Sequence, residues 1–106
     1  MERMVIVAYR PKPGKADALR ALVRDHVPRL RAEGLVGEGP ALAMEAADGS
    51  IVEVFAWRSA EAVEAAHDNA AVQAMWDEFN AVCDYVPVGA LPEASKMFSE
   101  FAPLAR

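Results

Sequence analysis

With 106 residues, 54% of them apolar, and a formal net charge of -5, the chain has the size of one domain and more apolar surface than so small a core needs. The acidic balance leaves no basic stripe for neutralising phosphates, so nucleic acid is not an expected partner. A single cysteine, Cys83, excludes an internal disulfide and a cysteine-based zinc site, and fits a reducing compartment.

No apolar run reaches the ~18–20 residues of a membrane span. Charged Glu2 and Arg3 precede only a short apolar stretch, unlike a secretory leader. No membrane contact is expected, and the cytoplasm is the expected location. The surplus of apolar residues points instead to an interface or a ligand pocket, with a two-fold homodimer as the commonest solution.

Met4 to Arg10, MVIVAYR, reads as a buried strand with Val5, Val7 and Tyr9 on one face and Met4, Ile6 and Ala8 on the other. Pro11, Pro13 and Gly14 end it. A helix follows from about Lys15 to Glu33, its stripe formed by Leu19, Leu22, Val23, His26, Val27 and Leu30. Pro28 lies inside it and predicts a kink or a break, and Gly34 is a natural C-terminal cap. Arg20, Arg24, Arg29 and Arg31, interleaved with Asp25 and Glu33, form a solvated face.

Ala41 to Ala47 reads as a second strand. The Asp48-Gly49 pair predicts a hairpin into a third, Ile51 to Arg58. Ser59 caps a short helix ending near His67, with Glu61 in its first turn. Asp68 or Asn69 caps the next, which carries Val72, Met75, Trp76, Phe79, Val82 and Cys83 on one face. Tyr85 to Val88 reads as a short strand, Leu91 to Met97 as a loop or single helical turn, and Phe98 to Leu104 as an edge strand.

Strand–helix–strand followed by strand–helix–strand is the split βαβ order of an α+β, ferredoxin-like domain spanning 1–106. It has one antiparallel sheet with helices on one face. The small residues Val52, Val54 and Ala56 suit packing under helices. Glu53, Phe55 and Trp57 are then expected on the uncovered face, shielded by a second copy.

The stretch YRPKPGKADALRALV, the hairpin, and the run from Trp57 through Ser59, Glu61 and His67 into AVQAMWDEF resemble the dimeric α/β-barrel, or antibiotic-biosynthesis-monooxygenase-like, family over nearly the whole chain. The resemblance implies sheets paired face to face across a dimer axis and a pocket between sheet and helices. It also implies a range of activities that includes cofactor-free oxygenation of phenols, quinols and anthrones. The haem-degrading members carry an Asn on the first strand, a Trp near the end of the short helix and a His ten residues later. The corresponding positions here are Val7 or a neighbour, His67 and Asp77, and none matches.

His67 is the leading candidate base and His26 the second, because an imidazole exchanges protons near neutral pH. His67 stands at the end of the short helix, where it either serves a phenol substrate or caps the last carbonyls. His26 lies on the apolar stripe of the first helix and points towards the sheet or a pocket rim. Glu53 reads as an interface ion-pair member or a pocket acid, with Arg10 and Arg58 as candidate partners. Trp57 and Trp76 offer flat surfaces and indole donors, Tyr9 and Tyr85 offer hydroxyls, and each reads equally as plain packing. Met44, Met75 and Met97 read as core filler, and Cys83 as inert.

No metal-ligand spacing, phosphate-binding glycine motif or Gly-x-Ser-x-Gly elbow occurs, so no cofactor and no metal are expected. Two classes of function remain. One is a cofactor-independent monooxygenase of a small quinol- or phenol-type aromatic. The other is a non-catalytic module that binds a small ligand or pairs with itself.

Overall fold

The computed structural model describes residues 1–104, so the last two positions of the expected 1–106 domain lie outside the described residues. The chain order is β1 (Arg3–Pro11), α1 (Ala16–Ala32), β2 (Leu42–Glu45), β3 (Ile51–Trp57), α2 (Ala60–His67), α3 (Ala70–Val82), β4 (Cys83–Val86) and β5 (Ala102–Pro103). Two 3-10 turns, Val88–Ala90 and Pro92–Ser95, precede β5. The strands form one antiparallel sheet in the order β4-β1-β3-β2-β5. Four of them, in the order β4-β1-β3-β2, are the split βαβ arrangement of a ferredoxin-like fold.

Local chemistry sets the elements. Pro28 does not break α1, which runs on through an exposed Pro28. The helix ends in a Schellman closure. Gly34, at φ +74°, lets its amide reach the Arg31 carbonyl, and the Leu35 amide bonds the Leu30 carbonyl. In the hairpin, Gly49 takes φ +89° and donates to the Ala46 carbonyl, while Asp48 Oδ1 accepts the Ser50 amide at 2.9 Å. The bond from the Ser50 amide holds the Asp48 carboxyl below its ordinary range. Ser59 Oγ accepts the Ala62 amide and Asn69 Oδ1 the Val72 amide, so each of the next two helices has a side-chain N-cap.

All three helices pack on one face of the sheet. Leu19 and Leu30 of α1 and Phe79 of α3 lose all exposure there, each worth about 1.5–3 kcal/mol of burial. The opposite face is covered only at one end. There Leu91 and Phe101 of the C-terminal segment pack on Ala8, Met44, Val52 and Val86. The other end presents Met4, Ile6 and Leu42, which are 75%, 58% and 61% exposed.

Several expectations are corrected. Glu53, Phe55 and Trp57 lie beneath the helices, not on the open face. The helices leave room over β1 and β3 for aromatic side chains, and α1 supplies a partner for the carboxylate. The small residues of β3 take the other side. Glu53 does not meet Arg10 or Arg58, and Arg10 faces Asp48 instead. Cys83 opens β4 rather than closing α3, with Sγ donating to the Phe79 carbonyl. The edge strand shrinks to Ala102–Pro103, because only Met44 and Glu45 of the short β2 pair with it. Met97 is almost wholly exposed rather than core.

Candidate functional site

The register of the sheet builds one wall of a pocket. Alternation puts Val5, Val7 and Tyr9 of β1 and Glu53, Phe55 and Trp57 of β3 on the helix side, with Val5 opposite Phe55 and Val7 opposite Glu53. Tyr85 of β4 lies opposite Tyr9. His26 of α1 and Trp76 and Asn80 of α3 supply the roof. Together they enclose a cavity of about 400 Å³ lined by Val5, Val7, Tyr9, His26, Phe55, Trp57, Trp76, Asn80 and Tyr85. That volume and apolar lining suit a small organic ligand.

At the inner wall stands a buried polar trio. Glu53 Oε1 accepts the Tyr9 hydroxyl at 2.8 Å and lies 2.7 Å from His26 Nδ1. Glu53 is 2% exposed and His26 5%. An ionised carboxylate only accepts, so both neighbours donate to the same oxygen. This places the imidazole proton on Nδ1. It leaves Nε2, which has no partner among the described residues, as the ring nitrogen available to the pocket. Phe55 and Phe79 hold the ring edge-on, at centroid distances of 5.4 and 5.1 Å. Burial, then the neighbouring Glu53 charge, pushes the Tyr9 phenol far up, so Tyr9 stays a donor. Burial likewise raises Tyr85 to about 12, and its hydroxyl at the mouth is a neutral donor at physiological pH.

Of the residues the sequence singled out, Tyr9, His26, Trp57, Trp76 and Tyr85 line this cavity, and Glu53 backs it through His26 and Tyr9. His67 does not. It is exposed, its Nδ1 bonds the Val63 carbonyl at 2.9 Å, and its ring packs edge-on against Trp76. Its carbonyl accepts the Gln73 side-chain amide. His67 closes the end of α2 from behind the pocket's Trp76. Asn80 was not anticipated, although it follows Trp76 by four residues on α3 and so shares its face.

Among the described residues no group of three His, Cys, Asp or Glu side chains converges to hold a metal ion. None of their helices is long and apolar enough to cross a membrane.

The chain is thus an α+β domain with an aromatic-walled pocket, holding one oriented imidazole, between its helices and a ferredoxin-like sheet. The antibiotic biosynthesis monooxygenase family model matches residues 3–78, and the chain belongs to that family. The match spans β1 through most of α3 and so contains Tyr9, His26, Glu53, Trp57 and Trp76, while Asn80 and Tyr85 lie beyond it. No curated protein matches the chain.

Proposed function

We propose that this protein is a cofactor-independent monooxygenase of a small hydroxylated aromatic. The observation that carries the reading is His26: an imidazole oriented by Glu53, with Nε2 free, in the wall of an aromatic pocket. The family supports it as well. A phenol or quinol lies flat against Trp57 and Trp76 and passes its proton to Nε2, while Glu53 stabilises the imidazolium. In the largely apolar pocket the phenolate gives an electron to dioxygen. Recombination forms a carbon–oxygen bond, and cleavage of the O–O bond with return of the proton releases water. One phenol and one dioxygen give one quinone and one water, the four electrons lost by the ring being gained by the two oxygen atoms. Tyr85 and Asn80, at the α3–β4 end of the pocket, offer hydrogen bonds to a substrate oxygen.

The protein works as a homodimer in this reading, two copies burying Met4, Ile6 and Leu42 of the open sheet face against each other in the cytoplasm. Oxygen uptake with a panel of quinols, naphthols and anthrones tests the activity. Uptake that depends on His26 supports the assignment, and uptake that survives His26→Gln removes the base.

One observation favours a second reading, a binding module without turnover. His26 is the sole carboxylate- or imidazole-type group among the pocket residues. Quenching of Trp57 and Trp76 fluorescence by the same compounds, with no oxygen consumed by any, decides for that reading.

A further inference from the structure

The Glu53 carboxylate is used on one side only by the pair described above. Both of its bonds, from Tyr9 and from His26, fall on Oε1. Oε2 takes no hydrogen bond from the described residues, yet it is absent from the sealed, unpartnered polar atoms, which are Ser50 Oγ and Glu93 Oε1. Glu53 also lines a second cavity. This one, of about 350 Å³, lies over β2 and β3 on the far side of α1 from the aromatic pocket. Glu53 forms part of its wall together with Ala43, Leu104 and the charged side chains Arg24, Arg31 and Glu38. Ala43 is the direct cross-strand neighbour of Glu53. Arg31 is held there by the carbonyls of Gly37 and Gly39. The two cavities share no lining residue, and the buried carboxylate lies behind the first and in the wall of the second.

A buried carboxylate oxygen with no donor among the described residues calls for one from elsewhere, and a cavity that is roomy and partly lined by charged groups is the kind that holds water. We infer that the second cavity is a water site bonded to Glu53 Oε2. Through it the His26–Glu53 pair exchanges protons with solvent from the side opposite the substrate. This rests on the reading of His26 as the base only for its use. With an aromatic ligand over Nε2, the front route is closed, and the carboxylate stays in contact with water from behind. The imidazolium formed on proton uptake is then stabilised by a solvated carboxylate rather than a dry one. Glu53 acts through His26 and is a positioning residue. It touches water, not substrate.

Two measurements on the intact protein test this. A high-resolution crystal structure is expected to place an ordered water within hydrogen-bond distance of Glu53 Oε2, linked to the second cavity. A dry cavity, or a protein group bonded to Oε2, overturns the inference. In solution, the proton shared by His26 Nδ1 and Glu53 is followed by proton NMR, its exchange read by saturation transfer from water. Ala43→Leu fills the cavity over Oε2 and is expected to slow that exchange by about tenfold or more, the scale of one lost hydrogen-bonded route. Ala43→Ser, which keeps the site small and polar, leaves it within about twofold of the parent on the same scale. Equal exchange in the parent and Ala43→Leu overturns the inference. Oxygen uptake by His26→Gln reads the base assignment separately. If uptake survives that change while exchange still depends on Ala43, the base fails and the water site stands.

Discussion

The two faces of the sheet are built from alternate residues of the same strands, and most of those residues are apolar on both sides. On the covered face the row Val7–Glu53–Ala43 places one carboxylate under α1. On the open face the row one step along, Ile6–Val54–Leu42, has no polar side chain. That single difference gives the faces different chemistry. A buried carboxylate demands donors, and α1 and β1 meet the demand with His26 and Tyr9, so the covered face acquires an oriented imidazole. The open face has no such demand. Its apolar side chains gain free energy only by leaving water; the C-terminal segment covers one end with Leu91 and Phe101, and Met4, Ile6 and Leu42 at the other end stay exposed.

The sharpest way to break this contrast is to remove the imidazole. His26→Gln keeps the size and a polar atom near Glu53 but has no basic nitrogen. It is expected to lower oxygen uptake by about 10²–10⁴-fold, the range for loss of a general base. His67→Ala, at the exposed end of α2, is expected to leave uptake within about twofold, since His67 is not among the residues that line the pocket. Equal losses from the two variants would erase the distinction between the pocket histidine and the helix-end histidine.

Removing the carboxylate comes next. Glu53→Ala strips the donors Tyr9 Oη and His26 Nδ1 of their shared acceptor in a buried site, and a loss of about 3 kcal/mol is expected from chemical denaturation. Glu53→Gln retains an acceptor and is expected to recover about half of that. A Glu53→Ala protein as stable as the parent would mean that the trio is not what closes the inner wall.

The order of strands and helices is legible in the chain because its signals are local. Asp48-Gly49 dictates the hairpin, Ser59 and Asn69 cap their helices, and the stripe from Leu19 to Leu30 has one period. Five of the pocket residues are legible too, from residue type and strand or helix face. Which face of β3 lies under the helices is not. Size favoured Val52, Val54 and Ala56, but the decision falls to a contact twenty-seven residues away, His26 with Glu53, and to the room left between α1 and α3 for aromatics. Which histidine lines the pocket is not legible either, for a related reason. Both stand on helices at acceptable spacing, and only tertiary placement separates a ring against Glu53 from a ring on the carbonyl of Val63. Pro28 misleads in the opposite sense, since α1 is held through it by packing on both sides of that position, at Val27 and Leu30.

The open face is tested by charge. Ile6→Asp puts a carboxylate in the middle of the uncovered row and is expected to weaken self-association by about 2 kcal/mol or more per copy, the apolar burial it forfeits. Sedimentation velocity over a concentration series reads this. The same variant is expected to keep the far-ultraviolet dichroism of the parent, because Ile6 is already exposed in the single subunit. A parent that sediments as a monomer at all concentrations would leave the open face without a partner of its own kind.

The smallest effect is alkaline, and it separates the faces without changing the pocket. The groups whose proton affinity is raised by burial, namely Tyr9, Cys83 and Tyr85, all belong to β1 and β4, and Tyr9 and Cys83 to the core beneath the helices. Cys83 is pushed up to about 11 chiefly by desolvation. In the unfolded chain its thiol ionises near the ordinary value of about 8.5. Its folded pKa therefore lies above the unfolded one, and the neutral thiol stabilises the native state fully below about pH 8.5. That contribution is lost as pH climbs through about 11, because the unfolded state sheds its proton first. Urea unfolding at pH 8 to 11 is expected to show a falling stability whose slope is shallower in Cys83→Ala. The Ile6→Asp variant keeps the parent slope, since the open row holds no group that titrates there. If instead the slope is unchanged by Cys83→Ala and altered by Ile6→Asp, the desolvated side of this sheet is the open one.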